Sequence, residues 1–181
     1  RTSDKRRSTL VLGHGSLDTD WRNVSAMDGN HDGFRDQPSR RTVNVASRWL
    51  YMTKSGAQMR WGVRAIADRR IGGSVDFDGS DAMRNDMVEN WNGGAKYGSQ
   101  IDNRALNAYL KLALPFGAGV YDEETKSEKR SSVALVVDYD HFGEKAYFGL
   151  NDYSGHENDV TANAMVNLHF DLHSSLMMGM Q

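Results

Sequence analysis

Apolar and polar residues alternate along much of this chain. From Val160 to Phe170, Val160, Ala162, Ala164, Val166, Leu168 and Phe170 are apolar. Thr161, Asn163, Asn167 and His169 between them are polar, with Met165 the one exception. Successive side chains of a strand point to opposite faces, so this segment has one greasy face and one wet face. The rhythm returns in at least four other segments and predicts an all-β fold, an antiparallel up-and-down meander of about seven strands with no helical layer.

The predicted strands are Arg7–Gly15, Arg41–Thr53, Ala57–Arg69, Ser99–Leu114, Ser131–Asp140, Val160–Phe170 and one starting near Ser174. Leu10 and Leu12 share a face of the first. In the second, Val43, Val45, Trp49 and Tyr51 oppose Thr42, Asn44 and Arg48. In the third, Met59, Trp61, Val63, Ala65 and Ala67 alternate with Gln58, Arg60, Arg64 and Asp68, with Ile66 out of pattern. In the fourth, Leu106 to Leu114 on even positions oppose Asn103, Asn107, Tyr109 and Lys111; Val133 to Tyr139 give the fifth its apolar face.

The connections alternate in length. Long ones are predicted at Ser16–Arg40, Arg70–Gly98 and His141–Asp159, an intermediate one at Pro115–Arg130, and tight turns at Lys54–Gly56 and Asp171–Ser174. Long connections at one end and mostly short ones at the other describe the wall of an outer-membrane barrel. Spanning a bilayer takes roughly 9–11 tilted residues per strand, which most of these runs supply. Trp49, Tyr51 and Trp61 sit beside the short turn, where an interfacial aromatic girdle belongs. On this reading the apolar side meets lipid, and Arg48, Arg60, Arg64, Asn103, Asn107, Lys111, Asn163, Asn167 and His169 line a wet lumen. Arg48, Arg60, Arg64, Arg104 and Lys111 then give the wet face a basic bias suited to anionic cargo.

Composition changes little in this picture. The chain has 181 residues, 39% of them hydrophobic, and a mean hydropathy of -0.64, low for a soluble domain with a generous core. Eighteen Gly against two Pro suits strands and turns, and a net charge of -2 gives no reason to expect nucleic acid. No apolar run approaches the roughly 20 residues of a spanning helix. Arg1 to Arg7 is polar, with no signal-type apolar stretch after it. Cysteine is absent, which excludes disulfides and thiolate metal sites. Strand-like sequence starts within a few residues of Arg1, and Leu176–Gln181 reads as a strand without a turn. A barrel segment incomplete at both ends, covering 1–181, is therefore expected.

Asp28-x-Asn30-x-Asp32-Gly33-Phe34-x-Asp36 follows the opening of a calcium loop. Oxygen ligands alternate, a glycine makes the sharp turn, Phe34 offers its carbonyl and another acid follows. Ser39 stands where a bidentate glutamate belongs, so the missing carboxylate would come from Asp18, Asp20, Asp76, Asp78 or Asp81. The alternative is a polar loop shaped by Asp, Asn and Gly turn preferences. Any Ca²⁺ here would be structural. Ile71-Gly72-Gly73 is expected to bend the chain as it leaves the wall. The six histidines are scattered, and Trp91, Tyr97, Tyr147, Phe148 and Tyr153 either contact a ligand or pack the loops. No catalytic triad or carboxylate pair stands out, and no enzyme is expected.

An ordered set of motifs resembles the TonB-dependent outer-membrane receptors of the Bacteroidetes type. They are Asp28-Gly29-Asn30-His31-Asp32-Gly33-Phe34-Arg35-Asp36, Ser47-Arg48-Trp49-Leu50-Tyr51, Arg70-Ile71-Gly72-Gly73, Tyr97-Gly98 with Asn103-Arg104, and Tyr147-Phe148-Gly149 with Tyr153-Ser154-Gly155. The resemblance covers about Leu10 to Met180. It implies a bacterial outer-membrane location and import of a scarce nutrient such as a siderophore or cobalamin. Its implied partners are outer-membrane lipid, TonB through a plug region that this chain lacks and, in some relatives, a surface lipoprotein capping the barrel. Two rival readings are the wall of a passive porin-like channel and a soluble calcium-binding β domain. The last requires the apolar faces of the strands to pack against one another.

Overall fold

The computed structural model describes residues 10–22, 28–123, 127–171 and 174–181. The alternating segments become seven strands: β1 (Leu10–Arg22), β2 (Ser39–Met52), β3 (Gln58–Gly73), β4 (Gly98–Asp122), β5 (Ser127–Phe148), β6 (Asn151–His169) and β7 (Ser175–Met180). They form one antiparallel sheet in the order β1-β2-β3-β4-β5-β6-β7, each strand paired with its neighbours in sequence. The sheet is not closed. No helix among the described residues is long and apolar enough to cross a membrane, which says nothing of strands.

The strands are longer than the alternation predicts. β1 runs on to Arg22, while Arg7 to Thr9 lie outside the described residues. The expected loop His141–Asp159 is mostly strand: β5 and β6 continue to a tight turn at Gly149-Leu150, where Gly149 takes φ 60°. In the stretch predicted as the connection Pro115–Arg130, β4 and β5 also continue, paired as far as Asp122 and Ser127 with a register shift between Phe116 and Val120. Polar residues beyond the ends of the apolar stretch broke the hydropathy signal there, yet the backbone ladder carries on through them.

A nine-residue helix, α1 (Asp81–Glu89), occupies the connection after β3, where no helix was expected. Ser80 caps its start, its hydroxyl accepting from the Met83 amide at 3.3 Å, and Asp81 lies in the first turn. Gly73 at φ 102° makes the predicted bend; a Cβ there would come within 2.5 Å of the Tyr97 carbonyl oxygen. Among the described residues the buried core is small: Phe77 and Met87, both fully buried, with Tyr147 and with Ile71 and Met83 packed around them. All of it sits at the end of the sheet that carries the long connections, called here the upper end.

Candidate functional site

The register sorts every strand residue onto one of two faces. Val43, Val45, Trp49 and Tyr51 of β2 pair with Ala67, Ala65, Trp61 and Met59 of β3. These share a face with Leu106, Leu110 and Leu112 of β4, with Val133, Leu135 and Val137 of β5, and with Val160, Ala162 and Val166 of β6. Val11, Leu17 and Trp21 continue it on β1, while Leu12 falls on the wet face with His14, Asp18 and Asp20.

Among the described residues no second layer covers the apolar face. Val63 is 48% exposed, Leu114 54% and Leu17 69%. The chain exposes 13143 Å², against about 8,800 Å² expected for a compact monomer of its mass. On β2 it is the polar side, Thr42, Asn44 and Ala46, that is half-buried, while Val43 and Val45 are exposed. Side chains crowd on the inside of a curved sheet, so the wet face is the sheltered side. This is the reverse of a soluble sandwich, which buries its apolar face.

The apolar band is bounded, and it crosses the strands obliquely. Arg41, Arg69, Asp102, Lys145 and Ser154 lie on one hydrogen-bonded row. Arg41 and Arg69 on that row are the first polar residues above the band on β2 and β3. On β4 the first is Arg104, two residues lower; on β5 and β6 they are His141 and Asn158, four residues lower. The lower edge slides the same way, from Tyr51 and Met59 to Phe116, Val133 and Leu168. At about 3.3 Å per residue and about 4.8 Å between strands, a slide of four residues from β2 to β6 corresponds to strands tilted by about 35° from the normal to the band. Its height, from seven residues on β5 to eleven on β4 along a tilted strand, is about 16–27 Å. At the lower edge the Trp49 and Trp61 rings stack with centroids 6.2 Å apart. Gly13 leaves room for Trp49, whose ring would lie 2.4 Å from a Cβ placed there.

All nine residues singled out for the wet face, Arg48, Arg60, Arg64, Asn103, Asn107, Lys111, Asn163, Asn167 and His169, fall on it by register. Arg104 does not; it belongs to the apolar side because β4 puts even residues there. Nor is the wet face simply basic. Arg40, Arg48, Arg60, Arg64, Arg70 and Lys111 make a basic stripe on β2 to β4, facing an acidic stripe of Asp138, Asp140, Glu144, Glu157 and Asp159 on β5 and β6. Asn107, opposite Arg64 in the register, donates its amide to Asp138 at 2.6 Å and Asp140 at 2.9 Å. Arg60 and Lys111 stand directly opposite each other, an arrangement that disfavours the bare sheet. At the upper end Asp68, 7% exposed, is held by Arg40 at 2.8 Å, Arg70 at 2.7 Å and the Thr42 hydroxyl.

The Asp28–Asp36 loop is shaped by its own backbone. Asp28 accepts from the amides of Asp32 at 3.1 Å and Gly33 at 2.9 Å, and Asp36 from that of Gly29 at 2.8 Å. Asn30 donates to Asp32 at 2.9 Å, and Asp32 accepts from the Phe34 amide at 2.8 Å. Gly33 takes φ 84°. The Asp32–Phe34 bond is that of an Asx turn, and the Asp28 and Asp36 bonds close the rest of the loop. No group of three or more His, Asp or Glu able to hold a metal occurs among the described residues.

Sequence reasoning missed the role of Arg35. Its guanidinium donates to the carbonyls of Val75 at 3.1 Å and of Phe77, and Phe34 forms a bridge with Ser74, so the two long upper connections are tied together. Burial lowers the Arg35 pKa, and the nearby Asp78 carboxylate opposes that. The Ser80 hydroxyl and amide hydrogen-bond to the Asp78 carboxylate and hold its carboxyl below the usual range. Most of the aromatics proposed as ligand contacts pack against neighbours. Tyr147 lies edge-on to Phe77 and under the Arg84 guanidinium, Trp91 and Phe34 meet Tyr97, and Phe148 meets Tyr153. No protein-family model, curated protein or solved structure matches this chain.

Proposed function

We propose that this chain is part of the wall of a transmembrane β-barrel in the bacterial outer membrane, and that the barrel is a TonB-dependent receptor importing a scarce nutrient. The observation that carries the membrane reading is the bare apolar band: about 16–27 Å tall, edged by stacked tryptophans and oblique to the strands. A flat hydrocarbon slab crossed by tilted strands would leave that trace. The long upper connections then face outward and the wet face lines the lumen.

The narrower assignment rests on the ordered motifs from Asp28 to Gly155. TonB would act through a plug outside these residues, and the basic stripe Arg48, Arg60, Arg64 and Lys111 would meet anionic groups of the cargo or plug. A structural Ca²⁺ in the Asp28–Asp36 loop belongs to the same proposal. It would have to draw the carboxylates away from the amides they now accept from. Calorimetry with Ca²⁺, with Asp28→Asn and Asp32→Asn as controls, tests it; absence of binding removes the ion from the reading.

The membrane reading is tested by folding the purified chain in phosphatidylcholine vesicles, with cysteines placed singly at Val63, Leu112 and Val137 for lipid-soluble spin quenchers and at Arg64, Lys111 and Asp138 for water-soluble ones. The first set should be quenched from the lipid and the second from water. Water-accessible labels at both sets would overturn it. The receptor assignment is tested in cells by energy-dependent uptake that stops when TonB is removed; uptake unaffected by TonB would favour a passive channel.

A further inference from the structure

Just above the apolar band, on the same face, the sheet has a hollow floored by Gly143. Three hydrogen-bonded rows define it. Arg104, Gly143 and His156 form the middle row; Leu106, His141 and Asn158 lie below, and Asp102, Lys145 and Ser154 above. The centre of this grid carries no side chain, and a Cβ built at Gly143 would meet only His141 Nε2, at 3.7 Å. The resulting cavity is about 470 Å³.

Its walls are rich in cationic and hydrogen-bonding groups. Arg104 and Lys145 are exposed and make no ion pair among the described residues. Asp102 is already occupied: one oxygen accepts from Arg69 at 2.5 Å and the other from Gln100 at 2.5 Å. Glu144, at the edge, belongs by alternation to the wet face. His141 Nδ1 is 2.7 Å from Asn158 Oδ1, which fixes the ring and turns Nε2 toward the hollow. The next apolar-face residues below the grid are Tyr139 and Val160, followed by Ala162 and Val137.

We propose that this hollow binds the phosphate headgroup of a membrane lipid, with Arg104 and Lys145 on its charge and the acyl chains descending over Leu106, Tyr139 and Val160. The inference rests on the membrane reading above. It chooses a lipid over a free anion because the hollow opens on the apolar side, where cations and band are continuous. A cargo anion in the lumen would meet the opposite face. Cations in this position gain from anionic headgroups and hydrocarbon together.

Native mass spectrometry of the purified protein in detergent, titrated with phosphatidylglycerol and with phosphatidylcholine of equal chain length, tests it. Arg104 and Lys145 should favour phosphatidylglycerol by about thirtyfold. Gly143→Leu, which fills the hollow, and Arg104→Gln with Lys145→Gln, which removes its charge, should each abolish that preference. The double variant changes only exposed side chains and covers the case in which Gly143→Leu fails to fold. Equal retention of the two lipids, or an unchanged preference in the double variant, overturns the proposal. Inorganic phosphate binding as tightly as the lipid overturns the choice of a lipid. Failure to insert into phosphatidylcholine vesicles is a different result, since it removes the membrane reading itself. Insertion without headgroup preference removes only the site.

Discussion

One face of one sheet behaves in opposite ways at its two levels. In the oblique band it is apolar and bare, with Val63, Leu114 and Leu135 open to the surroundings; at and above the row of Arg69 and Asp102 it is polar. Above that row it carries Gln100 and Tyr147, and there Met87 of α1 and Phe77 of the segment before it pack against it and are completely buried. Apolar groups are buried from water where the sheet is otherwise polar and left bare where it is apolar. A chain folding in water alone would use its few core-forming side chains over the larger greasy surface. The difference is what two solvents would produce: a water-exposed cap that needs its own core, and a band whose core is supplied by hydrocarbon.

The comparison can be broken most severely in the cap. Phe77→Ala removes the centre of the cluster and should cost about 3–5 kcal/mol of cap stability. Hydrogen exchange should rise over α1 and the 71–77 segment while the β3–β4 ladder stays protected. Equal loss in both places would show that cap and band are not separate units.

Next in size is a charge in the band. Leu110→Arg, on the apolar face opposite Trp61, should lose about 2–4 kcal/mol in urea titrations of the vesicle-folded protein. Asn107→Arg, three residues away on the wet face, should change it by about 0.5 kcal/mol or less. Similar values for both would refute the two-face assignment.

Arg35→Ala would leave the Val75 and Phe77 carbonyls without their side-chain donor, at a cost of about 1–3 kcal/mol. Limited proteolysis should then cut within residues 28–38 sooner, with strand cleavage unchanged. A protease pattern identical to wild type would mean the connections are held otherwise.

The smallest effect sharpens the picture at the start of α1. Because the Ser80 hydroxyl and amide depress the Asp78 carboxyl, their stabilisation is complete above the ordinary carboxylate pKa and is lost as pH falls through the depressed one. Exchange at Ser80 to Met83 should therefore quicken only below about pH 4. Asp78→Asn should remove that pH dependence; its persistence would assign the change to another acid.

The alternation made the strands and the two faces legible because it is a local property: a period of two needs only neighbours in sequence. It also placed all nine wet-face residues together and put Trp49 beside Trp61. It failed where the apolar partner residues ran out. Gly143, His156 and Lys145 read as loop although they continue the ladder, and Arg104 was put on the wrong face. The cap was illegible for a related reason. Arg35 reaches carbonyls 40 and 42 positions away, and Phe77 meets Tyr147 across a connection whose sequence shows no such pairing.

By itself, the sequence determined that this protein is a meander of antiparallel strands with one greasy and one wet side, since side-chain alternation follows from strand geometry alone. Only the tertiary structure decided how the strands align. Register depends on contacts between distant residues, and it alone turned separate greasy stripes into an oblique band, split the wet side into basic and acidic stripes, and opened the hollow over Gly143.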